Sequence, residues 1–137
     1  MLARIEVALK PALKDALGEK TARRMREDLG LRVEACRTIR VYLVEANLTE
    51  DELVAFATGP LCDPVTEIYA VEKPLAPVFG FDWLIQVGFR PGVTDNEGRV
   101  AREALALLLG RRLDEEENVY FLRQYLVQGE LSRQEAE

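Results

Sequence analysis

An internal repeat constrains the fold of this chain more than any other feature of its sequence. The stretch IEVALKP at residues 5–11 matches IQVGFRP at residues 85–91, an offset of 80 positions (85 − 5). An aspartate and two glycines recur at the same offset, as the pairs Asp15 and Asp95, Gly18 and Gly98, and Gly30 and Gly110. Such self-similarity indicates one supersecondary unit that is used twice.

The repeat continues at a slightly larger offset in the second half of each copy. The stretch YLV at residues 42–44 recurs at residues 125–127, an offset of 83 positions (125 − 42). A leucine followed by a hydroxyl residue recurs in step, as Leu48-Thr49 and Leu131-Ser132, and Glu52 matches Glu135. The extra residues of the second copy fall in the acidic stretch 114–118, where a loop would tolerate them.

Hydrophobic periodicity predicts a strand and then a helix at the start of the first copy. Apolar residues alternate over residues 5–9, as in a half-buried strand, and Pro11 ends this strand because proline cannot donate to a ladder. Turn and cap residues occupy positions 15–18. From Glu19 onwards apolar residues recur at three- and four-residue steps, which predicts an amphipathic helix that Gly30 closes in the left-handed conformation.

A strand, a helix and a last strand are predicted for the rest of the first copy. Residues 39–44 alternate as a strand, and residues 31–36 are either continuous with it or a separate short strand. Thr49, followed three positions later by glutamate, forms a capping box that begins a helix, and a Gly-Pro pair at residues 59–60 ends it. Residues 65–71 alternate as the last strand.

The second copy repeats this plan and then stops early. Its predicted elements are a strand at residues 83–89, a turn at 91–97, a helix at about 98–112 and a strand at about 119–128. A second capping box, Ser132 with Glu135, follows, and the sequence ends two residues later. By the pattern of the first copy, a final helix and strand are missing. The chain is then a fragment of a longer polypeptide, or its second copy has degenerated, or a partner completes the sheet.

These elements predict an α+β fold of two ferredoxin-like βαββαβ units, with antiparallel sheets and the helices on one face. The first unit occupies residues 1–73 and the incomplete second unit occupies residues 82–137. The connection at residues 74–81 carries two prolines and a glycine, so we assign it as a linker.

Composition and charge disfavour several classes of protein. No apolar run approaches the roughly 20 residues that a membrane span needs. The N-terminus alternates apolar and polar residues, whereas a signal peptide has a continuous apolar stretch, so we expect a cytoplasmic location and no membrane partner. The net charge of −6 disfavours nucleic-acid binding, because such binding rests on lysine and arginine neutralising phosphates.

The residues needed for catalysis are missing from the sequence. The chain has no histidine, and its two cysteines, Cys36 and Cys62, lack CxxC spacing. A nucleophilic thiol needs a base and a zinc site needs more ligands, so both cysteines are predicted to be buried packing residues. The acidic run at 114–117 is interpreted as a solvated loop segment. We therefore predict no catalytic residue, no cofactor and no metal site.

Four residues at the starts of two predicted helices are the best candidates for a structural or interface role. Asp15 and Gly18 in the first copy match Asp95 and Gly98 in the second. We interpret them first as turn or cap residues and second as interface residues. A helix N-terminus with glycine can also bind a phosphate, but the sequence here does not match a phosphate-binding motif.

Three tracts resemble the PurS-like family. The first is LKP at residues 9–11 followed by Asp15, Gly18 and a helix, which is similar to the opening of PurS. The second is CDPVTEIY at residues 62–69, which resembles the NPV-x-E-x-Y ending of that family. The third is PGVTDNEG at residues 91–98, which resembles a tract of the duplicated PurS-like region at the N-terminus of fused PurL synthetases.

The resemblance implies a role in phosphoribosylformylglycinamidine synthase, an ATP-dependent C–N ligase of purine biosynthesis. That enzyme converts formylglycinamide ribonucleotide to the amidine with ammonia from glutamine, and PurS-like modules bridge its synthetase and its glutaminase. The resemblance therefore implies a non-catalytic, oligomeric bridging component whose partners are PurL-type synthetase and PurQ-type glutaminase subunits or domains.

A small-molecule sensor is the alternative function. Duplicated ferredoxin-like units often bind amino acids or nucleotides where the two units meet, so a regulatory domain would have the same architecture. This alternative rests on analogy between folds.

Overall fold

The computed structural model describes residues 2–88 and 95–131. Its elements are β1 (Leu2–Leu9), α1 (Ala16–Leu29), β2 (Arg32–Glu45), α2 (Glu50–Thr58), β3 (Glu67–Val71), β4 (Trp83–Gly88), α3 (Asn96–Leu109) and β5 (Asn118–Glu130). A single 3₁₀ turn at Ala76–Val78 lies between β3 and β4. The predicted turn at 91–97 lies mostly outside the described residues, and the capping box at Ser132 lies wholly outside them.

The strands form one five-stranded sheet in the order β3-β1-β2-β5-β4, and every pair of neighbours is antiparallel. The α+β class and the antiparallel pairing are therefore confirmed. The sequence led us to expect a sheet in each half of the chain, whereas here both halves contribute to the same sheet. The reason is the length of β2 and β5, which pair with each other from end to end and join the two halves.

The β2–β5 pair is the centre of the sheet. Arg40 pairs with Arg123 in the middle of this ladder. Residues 31–36, which could have formed a separate strand, instead belong almost entirely to β2, with an irregularity between Val33 and Ala35. A local bend of this kind lets one long strand follow the sheet twist without a break.

All three helices cover one face of the sheet. Their buried residues pack on alternate residues of the strands, as the two-residue period of a strand requires. The main core of this face comprises Ala3, Ile5, Val7, Tyr42, Val44, Val119 and Phe121 from the strands with Leu53, Phe56, Ala57, Ala101 and Leu105 from α2 and α3. Helix α1 packs separately through Ala22 on Val33, Cys36 and Val127.

The segment assigned as a linker packs against the opposite face of the sheet. Leu75, Ala76 and Phe79 are buried there and contact a second apolar cluster that includes Ala8, Ile39, Val41 and Leu126. The guanidinium of Arg37 lies 4.7 Å from the centre of the Phe79 ring, a cation–π distance. The connection between the two halves is therefore part of the core.

Most predicted helix ends are present in the structure. The Thr49 hydroxyl accepts a hydrogen bond from the Glu52 N–H at 3.1 Å, and the Glu52 carboxylate accepts one from the Thr49 N–H at 2.9 Å, so the predicted capping box is confirmed. Gly30 closes α1 with φ 65°, as predicted. Strand β3 begins at Glu67 and not at Val65, because the Asp63 side chain accepts a hydrogen bond from the Val65 N–H and holds a turn there.

No helix within residues 2–88 and 95–131 has both the length and the apolar character to span a bilayer.

Candidate interaction site

Asp15 joins the start of α1 to the middle of β2. One carboxylate oxygen accepts a hydrogen bond from the Gly18 N–H at 2.9 Å, which caps the helix. The other oxygen accepts from the N–H and the hydroxyl of Thr38, at 2.7 and 2.8 Å. The carboxylate is buried, so it acts as an internal connection between the helix and the sheet.

Asp95 makes the same kind of connection between α3 and β5. It accepts from the Gly98 N–H at 2.8 Å and from the Phe121 N–H at 2.9 Å. Its position relative to Gly98 is that of Asp15 relative to Gly18. Asp95 is half-buried, and its two hydrogen bonds again tie the helix start to the backbone of a central strand.

Gly18 and Gly98 allow the two helices to lie against the strands. A Cβ atom at Gly18 would be 2.2 Å from the carbonyl oxygen of Cys36, and one at Gly98 would be 2.5 Å from the carbonyl oxygen of Val119. Both glycines are buried. The structure thus places all four sequence candidates at two helix–sheet junctions. Asp15 also borders an open cavity of about 430 Å³ between α1 and β2.

Arg40 lies at the centre of the sheet, and its two terminal nitrogens make three hydrogen bonds. Its guanidinium donates to the Glu67 carboxylate at 2.6 Å, to the Leu61 carbonyl at 3.1 Å and to the Tyr42 hydroxyl at 3.2 Å. Glu67 is the first residue of β3, so the outermost strand supplies the counter-charge. A charge-assisted hydrogen bond of this length is among the stronger polar contacts in proteins.

Arg123 has the corresponding place on β5 but different surroundings. Its guanidinium lies 5.1 Å from the centre of the Phe121 ring. Its Nε atom is buried and has no hydrogen-bond partner in the part of the chain that the structure describes. A buried N–H without a partner is unfavourable, because folding removes it from water without replacing the lost hydrogen bond.

Strand β4 forms an exposed edge of the sheet. It pairs with β5, and no described residue pairs with its other side. Val87 is 51% exposed, and Leu84 on the opposite face is 41% exposed. An edge that carries apolar side chains and free backbone groups is a template for pairing with another strand.

Helix α3 adds exposed apolar residues to the same half of the chain. Leu107 is 84% exposed, and Val100 and Leu108 are also exposed. Val100 borders an open cavity of about 360 Å³ between the end of α2 and α3, whose lining also includes Arg40, Tyr42 and Leu61. This cavity lies where the two halves of the chain meet.

A polar cluster on the linker-covered face was not foreseen from the sequence. The Glu6 carboxylate is buried and accepts from Arg4 Nε at 2.7 Å and from the Leu75 N–H at 2.9 Å. Gln124 is also buried, and its side-chain oxygen lacks a donor among the described residues. The alternation of apolar and polar residues in β1 predicts that Glu6 lies on the polar face of the strand. That face is covered because the segment at residues 74–81 packs across it.

Glu117 is the second buried carboxylate that sequence reasoning missed. It lies in the acidic run that we interpreted as solvated, yet it is only 3% exposed, whereas residues 114–116 are exposed. Arg111 donates to both of its oxygens at 2.9 and 3.0 Å, and the N–H groups of Asp114 and Asn47 also donate to it. These bonds lower the pKa of Glu117 to about 2. The carboxylate therefore connects the α3–β5 loop to Asn47 in the loop that follows β2.

The cysteines are placed where they cannot serve as nucleophiles at neutral pH. Both are buried and free. Burial, with a smaller contribution from Asp15, raises the pKa of the Cys36 thiol to about 11, and burial also raises the pKa of Cys62. A thiol with a raised pKa stays protonated and unreactive. Among the described residues, no three His, Cys, Asp or Glu side chains are grouped as a metal site would require.

Comparison with family models, with curated proteins and with solved structures found no match for this chain.

Proposed function

We propose that the chain consists of two copies of one ferredoxin-like unit and serves as an assembly module. The observation that carries this proposal is the matched pair of helix–sheet junctions. Thr38 and Phe121, the backbone partners of Asp15 and Asp95, are themselves separated by 83 positions (121 − 38), the offset of the second half of the sequence repeat. Equivalent contacts at equivalent positions support a duplicated unit.

The assignment to a family rests on the sequence tracts. On that basis the module is a PurS-like, non-catalytic component of phosphoribosylformylglycinamidine synthase, in which it bridges the synthetase and the glutaminase. The buried, protonated cysteines support a role without chemistry of its own. The exposed apolar residues of α3 and β4 support a role in docking.

The proposed partners follow from that assignment. They are a PurL-type synthetase, which would carry the ATP-dependent ligase chemistry, a PurQ-type glutaminase, and further copies of the chain in a homo-oligomer. The proposed location is the cytoplasm, where purine synthesis takes place. Oligomers commonly form by burying surfaces such as the one around Leu107.

Size-exclusion chromatography with light scattering tests this proposal. The purified chain should form an oligomer and should co-elute with a purified synthetase, with a glutaminase, or with both. A chain that stays monomeric at high concentration and binds neither protein contradicts the proposal. Leu107→Lys should weaken the complexes, because it places a charge in an exposed apolar position of α3. Leu29→Lys, at another exposed apolar position, in α1, is the matched control.

The cavity between α2 and α3 favours a second candidate, a small-molecule sensor. It has a volume of about 360 Å³, within the range of sites for small ligands, and an arginine and a tyrosine line it. A ligand that binds the folded chain would raise its melting temperature. A screen of amino acids and purine nucleotides should then give a shift that Val100→Trp abolishes by filling the cavity, and a screen without any shift removes this candidate.

A further inference from the structure

Strands β1 and β4 are equivalent in the sequence repeat but differ in their neighbours. Strand β1 pairs with β2 on one side and with β3 on the other, from Ile5 opposite Val71 to Leu9 opposite Glu67. Strand β4 pairs with β5 on one side, and its other side is free of any described strand. The edge of β4 thus corresponds to the edge of β1 that β3 covers.

Equivalent side chains of β1 and β4 differ in exposure, because β4 lacks, among the described residues, both a second neighbouring strand and a counterpart of α2, which packs on β1. Ile5 and Val7 of β1 are completely buried. Their counterparts in β4 are Ile85, which is half-buried, and Val87, which is 51% exposed. An added strand would cover part of these apolar side chains and would satisfy the free backbone groups of the edge, as in β-strand addition of peptides.

The two central arginines indicate what charge the added strand must carry. Val7 of β1 pairs with Arg40, and Val87 of β4 pairs with Arg123, so each arginine has the same position relative to the first strand of its copy. Glu67 of β3 binds Arg40 at 2.6 Å. That contact is made by Nη2 of Arg40. Arg123 forms no ion pair with a described residue and its buried Nε has no acceptor there, so a carboxylate in the place of Glu67 would supply the counter-charge that this guanidinium lacks.

We propose that the outer edge of β4 is a docking site for an extended, acidic segment of another polypeptide. The segment runs antiparallel to β4, has alternating apolar residues, and carries a glutamate or aspartate two positions before the residue opposite Val87. The sequence EIYAV of β3 has this pattern, with Glu67 two positions before Tyr69, which lies opposite Val7. The carboxylate of the bound segment pairs with Arg123.

A second copy of this chain fits the site less well. Two β4 edges could pair with each other, but the sequence WLIQVG of β4 contains no acidic residue. The other edge strand of a second copy, β3, contains Glu67, but that carboxylate is already bound to Arg40 of its own copy. Such a dimer would leave both Arg123 side chains without a carboxylate from the added strand. Charge complementarity therefore favours a different polypeptide as the occupant.

A peptide with the sequence of residues 63–72, DPVTEIYAVE, provides a direct test with the full chain. The chain has a single tryptophan, Trp83, which begins β4 and is half-buried, so its fluorescence reports binding at this edge. The peptide contains no tryptophan. We expect saturable binding, with an affinity at least about tenfold higher than that of the same peptide with Glu67→Gln, because a charge-assisted bond is replaced by a weaker one.

Variants of the chain locate the charge effect. In Arg123→Gln the two peptides should bind with equal affinity, since the partner of the carboxylate is gone. In Val87→Asp, an exposed position beside Arg123, the glutamate peptide should lose more affinity than the glutamine peptide. Circular dichroism of both variants tests whether the fold is retained. If Arg123→Gln does not fold, the difference between the two peptides in Val87→Asp serves as the test of the charge effect.

Three results would overturn the proposal. The first is no saturable change in Trp83 fluorescence, and the second is equal affinity of the two peptides for the unmodified chain. The third is a glutamate preference that persists in Arg123→Gln, which would mean that the peptide displaces β3 from β1. The proposal rests on the two-copy organisation and not on the role in purine synthesis. Because the titration contains no synthetase or glutaminase, the two proposals can fail separately.

Discussion

Arg40 of β2 lies directly opposite Arg123 of β5 at the centre of the sheet. Each arginine lies opposite a valine of the neighbouring strand, Val7 of β1 or Val87 of β4, and each guanidinium lies near an aromatic ring, Tyr42 or Phe121. The arrangement has approximate two-fold symmetry about this arginine pair. The symmetry ends at the outermost strand, where Glu67 neutralises Arg40 and no described carboxylate neutralises Arg123.

Glu67→Gln should therefore destabilise the chain. The variant loses the charge-assisted bond to Arg40 in a largely buried setting, so we expect the free energy of unfolding to fall by about 2 kcal/mol. Urea denaturation followed by circular dichroism measures the change. Glu103→Gln, on an exposed position of α3, is the control and should alter stability by less than about 0.5 kcal/mol. Equal effects of the two substitutions would show that the Arg40 pair contributes nothing.

Gly18→Ala and Gly98→Ala should each destabilise the junction of a helix with the sheet. The added methyl group would lie 2.2 Å or 2.5 Å from a backbone oxygen, which cannot move without shifting a central strand. Overpacking of this kind costs about 1–3 kcal/mol, which denaturant titration can resolve.

Gly80→Ala is the matched control for these two substitutions. Its methyl group would meet only the end of the Gln128 side chain, at 2.8 Å, and that side chain can rotate away. A loss of stability at Gly80 as large as at Gly18 would contradict this explanation, because it would show that the contact with the strand backbone is not what matters.

Local signals in the sequence predicted the start of α2 and the end of α1, whereas the helix expected at about 98–112 spans Asn96–Leu109. The Thr49–Glu52 capping box and the left-handed Gly30 depend on residues close together in the chain, and both are confirmed. The α+β class also followed from the periodicity of the strands. These features need no knowledge of long-range contacts.

Features that depend on pairing between distant parts of the chain could not be predicted from the sequence. Nothing local indicates that β2 and β5 pair from end to end and so join both halves in one sheet. Glu6 and Glu117 look like solvated residues in the sequence. In the fold each is buried with a hydrogen-bond donor from another segment, the Leu75 N–H for Glu6 and the Arg111 guanidinium for Glu117. The free edge of β4 likewise becomes visible only when the strand order is known.

Glu117→Gln should make the stability of the chain less dependent on pH. The pKa of Glu117 is about 2 in the folded chain and 4.5 for an unperturbed glutamate, so the folded state favours the carboxylate. Its contribution to stability is therefore complete above pH 4.5 and is lost as the pH falls towards 2. At pH 7 the variant should be less stable by about 2 kcal/mol, because it loses charge-assisted bonds.

The test for Glu117 is a set of urea titrations between pH 7 and pH 2.5. The difference between the original chain and Glu117→Gln should narrow as the pH falls below 4.5 and should be small at the acid end. Glu116→Gln, an exposed neighbour in the same acidic run, should show no comparable pH dependence. A difference that stays constant with pH would mean that the carboxylate of Glu117 is not the group that titrates.

Cys36 should resist alkylation as long as the chain is folded. Its pKa of about 11 leaves almost no thiolate at neutral pH, and the side chain is only 5% exposed. Unfolding restores both the ordinary pKa and access to the reagent, so iodoacetamide labelling at pH 8 should be slow in buffer and fast in urea. Mass spectrometry of the peptides that contain Cys36 and Cys62 follows each site separately. Labelling of Cys36 in the folded chain at the rate seen in urea would contradict its burial beneath α1, and with it the close contact of α1 with β2 that Asp15 and Gly18 secure.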